Sequence, residues 1–265
     1  MHNDLFSIGP FTMHTYGLMI AIGIIAAYLT AERRAKKKGL ASEKIFDLVI
    51  WCLISGFLGS KILYCLTILP RVMEDPMVII RTFGDGWVVF GGILGGILGA
   101  YLFCRKYKLQ HWKYFDLALP SVALAQAIGR IGCFFAGCCY GEETTSWFGI
   151  TFHNSNFAPN EVSLVPTQLI SSGLDFLLFA LLLWMDKRKK RDGQVTALYL
   201  ILYSGGRFIL EFFRGDLIRG NVGTLSTSQF ISIFTFAAGV ILFVIRSKSK
   251  PVVEDDKELE KEENK

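Results

Sequence analysis

Residues 13–38 read MHTYGLMIAIGIIAAYLTAERRAKKK. Up to Ala31 there is no Lys, Arg, Asp or Glu; then Arg33, Arg34, Lys36, Lys37 and Lys38 follow almost without a break. About 20 apolar residues cross a bilayer, and a basic cluster at one end marks the side that stays in the cytoplasm. Outward from this stretch the same unit recurs. Candidate spans run over about 13–31, 45–69, 87–104, 115–135, 165–185, 195–213 and 230–245. Further basic clusters follow the third span (Arg105, Lys106, Lys108, Lys113), the fifth (residues 187–191) and the seventh (Arg246, Lys248, Lys250). No Lys or Arg precedes Met13, and none lies between Arg130 and Lys187. The expected architecture is an all-α integral membrane protein with seven transmembrane helices, its N-terminus outside and its C-terminus cytoplasmic. Residues 1–250 form one transmembrane domain, and 251–265, PVVEDDKELEKEENK, a charged cytoplasmic tail expected to be disordered.

Composition agrees. The 265 residues are 52% hydrophobic, 19% charged and 14% aromatic, with a mean hydropathy of +0.41. Soluble domains carry roughly a quarter charged residues, and here the charges are bunched between apolar runs. That excludes a disordered chain, a disulfide-stapled secreted module and an ordinary soluble enzyme. A net charge of +5 would suit nucleic acid, but the Lys and Arg flank apolar runs and so face anionic headgroups; no nucleic-acid partner is expected. The N-terminus lacks the basic start and small-residue cleavage site of a signal peptide. Seven spans without a detectable inverted repeat also speak against a small-molecule transporter.

An ionisable group at membrane depth costs several kcal/mol unless it is paired or wetted, so the few embedded charges carry most of the information. They are Lys61, Arg130, Arg207, Glu211 and Arg214, all toward the outer ends of their spans. Tyr203, Arg207, Glu211 and Arg214 are spaced to share one helical face. Glu211 can neutralise either Arg and leave the other for an anion, although an interfacial ladder of snorkelling arginines has the same spacing. Arg130, ending a different span, favours the first reading. Two guanidinium groups converging from two helices suit a phosphate, and the phosphate at that depth belongs to a phospholipid. Gly91, Gly95 and Gly99 share a face of the third span; close helix packing is the plainer explanation, a smooth wall beside a lipid the other.

From about Phe6 to Ile245 the chain resembles the prolipoprotein diacylglyceryl transferases of bacterial inner membranes. The likeness rests on FSIGPFTMHTYGLM (6–19), FGGILGG (90–96), GRIGCFFAGCCYG (129–141), PTQL (166–169) and YSGGRFILEFFRGD (203–216), in this order. The resemblance implies transfer of a diacylglyceryl group from phosphatidylglycerol to the lipobox cysteine of a prolipoprotein, with glycerol phosphate leaving. It implies a multi-pass protein, acting as a monomer, in the bacterial cytoplasmic (inner) membrane, its active site toward the outer leaflet. It implies that Arg130 binds the lipid phosphate, and that Tyr16, Tyr203, Arg207 and Glu211 line the site. It places Gly91 and Gly92 beside the lipid, and implies no metal and no organic cofactor.

Four positions differ from the family pattern. Phe90 stands where a His precedes Gly-Gly, Cys133 where the signature has Asn, Cys138 where it has Glu, and Ser171 where the fifth helix has Glu. The polar groups near the acceptor are replaced by thiols: Cys133, Cys138 and Cys139 fall in the turn after the fourth span. They suit a disulfide of Cys133 with Cys138 or Cys139, or a reactive thiol whose pKa Arg130 lowers. Metal binding is the weaker expectation, His153 being the nearest further ligand. Besides the transferase, these residues also admit a membrane protein that binds phospholipid or performs thiol chemistry on another acceptor.

Overall fold

A computed structural model describes residues 4–8, 11–84, 86–155, 157–216 and 220–249. The tail 251–265 lies outside the described residues. A hairpin of β1 (Asp4–Ile8) and β2 (Phe11–His14) leads into α1 (Thr15–Lys37). There follow α2 (Lys44–Thr67), the short α3 (Leu69–Glu74) and α4 (Val78–Arg81), then α5 (Val89–Lys106) and α6 (His111–Ala136). Next come β3 (Ile150–Thr151), β4 (Ser163–Leu164), α7 (Thr167–Arg188) and α8 (Gln194–Leu210), the last prolonged by a 3-10 turn over Glu211–Phe213. A second small hairpin, β5 (Asn221–Val222) with β6 (Leu225–Ser226), precedes α9 (Thr227–Ser247). Seven of these helices are long and apolar enough to cross a membrane, one for each span read from the sequence. The first and third run further into their basic ends than hydropathy indicated. Lys and Arg suit the negative pole of a helix C-terminus and do not end the helix. Exposed Phe57, Leu58, Leu94, Phe212 and Phe234 suit lipid contact.

Contacts divide the chain into two units: the described residues of Met1–Thr30 with those of Phe115–Lys265, and Ala31–Tyr114. In the second unit α2 and α5 meet through small residues. A Cβ on Gly59 would stand 2.9 Å from Gly95 Cα, and one on Gly91 would stand 2.6 Å from Leu63 Cβ. Only missing side chains let these backbones come so close. Gly99 approaches Ser55, whereas Gly92 is looser: a Cβ there would stand 3.5 Å from the Gly56 carbonyl oxygen. The embedded charge of Lys61 is met locally: Nζ donates to the Thr82 carbonyl at 2.5 Å and lies over the rings of Tyr64 and Trp87, at 5.0 and 5.2 Å.

The first unit is organised around a carboxylate within the fourth span. Asp116 on α6 is fully buried and accepts from the backbone N–H of Gly193 and Thr196, the Thr196 hydroxyl and the Lys189 ammonium, each at 2.8 Å. It thus satisfies the open N-terminus of α8 from a neighbouring helix. Above it Ala123, Leu178, Leu182, Val195 and Tyr199 join α6, α7 and α8 in one apolar core. Burial works against the Lys189 charge, but Asp116 and Asp192 outweigh it and hold the ammonium above the ordinary lysine range. A raised pKa stabilises the fold fully below the unfolded value and loses its contribution as pH rises through the folded one. This pair therefore stabilises at neutral pH and fails in alkali. Asp116→Ala takes away one of the two close carboxylate partners of Lys189 and leaves the Gly193 and Thr196 amides without an acceptor. It is expected to cost about 2–4 kcal/mol for the unsatisfied buried donors, read as a fall in the unfolding temperature in detergent micelles.

Candidate functional site

In the unit that holds α6–α9, α8 brings its aromatic and basic residues to one end. Tyr203 stacks on Tyr199, centroids 5.4 Å apart and rings within 5° of parallel, and the Tyr199 hydroxyl donates to Gln126 at 2.9 Å. One helical turn on, Arg207 pairs with Glu211 at 2.6 Å and donates to the Ser228 hydroxyl of α9 at 3.1 Å. The capping box of Ser226 and Gln229 fixes the first turn of α9, which carries Ser228. The choice open in the sequence, which arginine Glu211 would neutralise, is settled for Arg207. Arg214 is 3.9 Å from Glu211 and is instead closed by Asp216 through two hydrogen bonds of 2.8 and 2.6 Å. Asp216 lay just beyond the apolar run and was not weighed in the sequence reading. The shared face also ends sooner than expected, because regular helix stops at Leu210.

Arg130 sits on α6, half-buried, with no hydrogen bond or ion pair to any described residue. Tyr203, Cys133, Cys139 and Asp175 are within its electrostatic reach. Arg207 feels it too. Beside it Gly132 lets α1 come close: a Cβ there would stand 2.9 Å from Met19 Cβ and 3.3 Å from the Tyr16 ring. Tyr16 is thereby set next to the GRIG segment.

A cavity of about 170 Å³ opens between α7 and α8, walled by Ser171, Leu174, Asp175, Tyr203, Gly206 and Arg207. Asp175 is 5% exposed, and its Oδ2 has no hydrogen-bond partner among the described residues. It lies within electrostatic reach of both Arg130 and Arg207. The sequence reading passed over this residue. The signal was the one used for the arginines, a charge inside the apolar run LISSGLDFLLFALLL.

The thiols converge. No disulfide joins the six cysteines, and the sulfurs of Cys133, Cys138 and Cys139 lie within 4.8 Å of one another. Hydrogen bonding to Cys133 and to Cys139 pushes the Cys138 thiol well above the ordinary cysteine range, with burial adding to it. That is opposite to the lowering expected from Arg130. His153 does not join them; its Nδ1 is 2.8 Å from Glu161. The segment is pinned to the first turn of α7 and to Arg214 after α8. Gln168 and Thr167 of α7 donate to the Cys138 and Cys139 carbonyls, and Gly141 bridges to Arg214.

A family described as prolipoprotein diacylglyceryl transferase matches residues 3–245. The chain belongs to the prolipoprotein diacylglyceryl transferase family. A phosphatidylglycerol–prolipoprotein diacylglyceryl transferase of Clostridium tetani is 46% identical over 241 residues, 91% of this chain and 96% of the relative. One of Clostridium perfringens, numbered 2, is 48% identical over 233 residues, 88% and 91%. One of Finegoldia magna is 35% identical over 258 residues, 97% and 100%. In this diacylglyceryl transferase the four departures have definite surroundings. Ser171 lines the cavity, and Asp175 restores a carboxylate one turn further along α7. Cys133 and Cys138 share the thiol cluster, while Phe90 lies on α5 in the other unit, partly exposed.

Proposed function

We propose that this multi-pass membrane protein transfers the diacylglyceryl group of phosphatidylglycerol to a cysteine thiol of a prolipoprotein, the first step of lipoprotein maturation. The relatives' names supply the two substrates. The observation that carries the site is Arg130: a half-buried guanidinium with no ion pair or hydrogen bond among the described residues, within electrostatic reach of Arg207. An unpaired buried cation is costly, and a phosphodiester matches its planar fork.

The reaction forms one C–S bond and breaks one C–O bond. The acceptor thiolate attacks the glycerol carbon that carries the phosphate ester, and the C–O electron pair leaves on glycerol phosphate. In our reading Arg130 holds the phosphate and stabilises its growing charge. Arg207, oriented by Glu211 and Ser228, presents its remaining donors to the same group. Tyr203 walls the cavity with its ring fixed by stacking, and Tyr16 flanks Arg130. The leucines of α7 and α8 offer an apolar wall for acyl chains. The thiol proton needs an acceptor, and Phe90 cannot be one. We assign it to Asp175, which lines the cavity and whose Oδ2 has no hydrogen-bond partner among the described residues.

We further infer a lipobox cysteine as acceptor, a monomer as the working form, and the bacterial inner membrane as its place. The N-terminus and the active site would face outward and the C-terminus the cytoplasm. In support, basic residues close the last turns of α1, α5, α7 and α9, whereas α2 and α6 end without one. A phospholipid-binding or thiol-exchange protein on the same scaffold is not favoured, because the named relatives are transferases. Expression in a bacterium depleted of its own diacylglyceryl transferase tests the reading. Growth is the expected result, and failure to grow despite full membrane insertion would reject it.

A further inference from the structure

The three thiols are gathered by a specific backbone device. The last turn of α6 closes as a Schellman motif: the Cys138 N–H bonds to the Cys133 carbonyl and the Gly137 N–H to the Phe134 carbonyl, both at 3.1 Å. Gly137 takes the left-handed conformation this needs, φ +72°, and a Cβ there would also run into Ser155. The motif sets the side chains at its two ends, here Cys133 and Cys138, against each other. Cys139 is then itself left-handed, φ 61°, an uncommon conformation for a non-glycine residue. Its side chain turns back to the same point, not away from its neighbour. Two buried α7 side chains, Thr167 and Gln168, hold the carbonyls of Cys139 and Cys138 at 2.8 Å each. The arrangement is thus over-determined from outside the turn.

We propose that Cys133, Cys138 and Cys139 form a three-thiolate site for one soft metal ion of the zinc class. Thiolates bound about 2.3 Å from such an ion stand roughly 4 Å apart, which small rotamer changes reach from sulfurs already within 4.8 Å. A disulfide would use two of the three and give no account of the third; Cys138 and Cys139, being adjacent, are poor partners for each other. Sulfur donors select zinc, Cu(I) and their kin over hard cations. Arg130, in electrostatic reach of Cys133 and Cys139, offsets the charge of a metal–thiolate centre. Binding exchanges three S–H bonds for three metal–sulfur bonds and releases three protons, with no change of oxidation state. The site stands apart from the transferase reading, since its evidence is the turn and not the cavity.

The test uses the full chain in detergent micelles, reduced, freed of reductant without air, and titrated with Co²⁺ alone. One equivalent should bind, with thiolate-to-cobalt charge-transfer absorption and the intense visible bands of a tetrahedral site. Cys133→Ser and Cys138→Ser, scored only where the variant keeps the parent's helical spectrum, should weaken binding by more than about tenfold, and Cys65→Ser on α2 should leave it unchanged. Loss of the two bands by addition of excess Zn²⁺ would complete the assignment. Absence of the bands in the parent overturns the site. So does equal cobalt affinity in the parent and Cys133→Ser. No readout depends on turnover, so failure of complementation and failure of the metal site are separate results.

Discussion

Arg130→Ala is expected to lower diacylglyceryl transfer by about 10²–10³-fold while the chain inserts and folds as the parent does. The size follows from what the residue lacks. Every other guanidinium in the neighbourhood has an anionic partner: Arg207 has Glu211, and Arg214 has Asp216. Arg130 has no ion pair among the described residues, so its removal breaks no hydrogen bond there, and in our reading its donors serve the lipid. Its charge is needed most when the C–O bond breaks and the phosphate gains a negative charge, so the loss should fall on kcat as well as on KM for phosphatidylglycerol. Arg130→Lys keeps the charge and loses the two-pronged geometry, and should recover only part of the rate. A membrane assay with a cysteine-containing lipobox peptide and phosphatidylglycerol measures both constants. Full activity in Arg130→Ala would remove this residue from the mechanism and leave its burial without explanation.

The spans were legible because hydropathy and charge alternation report the same thing twice, through lipid and through headgroup. The ends of α1 and α5 were not, because a helix does not stop where its lipid does. The arginine ladder was legible as spacing on one helix, yet its pairing was not. The salt partner of Arg214 is Asp216, two residues on, beyond the point where the chain leaves the helix. Asp116 and Asp175 were hidden by their company: each is one carboxylate in a long apolar run, and only the folded chain shows that one is satisfied fourfold and the other incompletely. The thiols were visible as a group. Their convergence depends on two left-handed residues, Gly137 and Cys139, of which only the glycine announces itself in a sequence.

That contrast between the two carboxylates bears on the second large effect. Asp175→Asn keeps the shape of the side chain and removes its charge and its capacity to accept a proton. If Asp175 takes the acceptor's proton, kcat should fall by about 10²–10⁴-fold, with KM for phosphatidylglycerol nearly unchanged. The acid limb of the parent's rate profile, where the carboxylate becomes protonated and ceases to be a base, should vanish from the residual activity. Asp175→Glu should restore part of the rate, its longer arm reaching the same cavity less well aligned. A counter-ion role for the same residue has a different signature. A carboxylate that only offsets Arg130 and Arg207 would, on becoming an amide, leave two guanidinium groups freer to grip the phosphate. KM would then fall, and the rate profile would keep its shape. The two outcomes move opposite constants, so one variant assayed across pH decides between them. Should both constants and the profile stay as in the parent, the proton goes elsewhere and the assignment of Asp175 fails, while that of Arg130 stands on its own measurement.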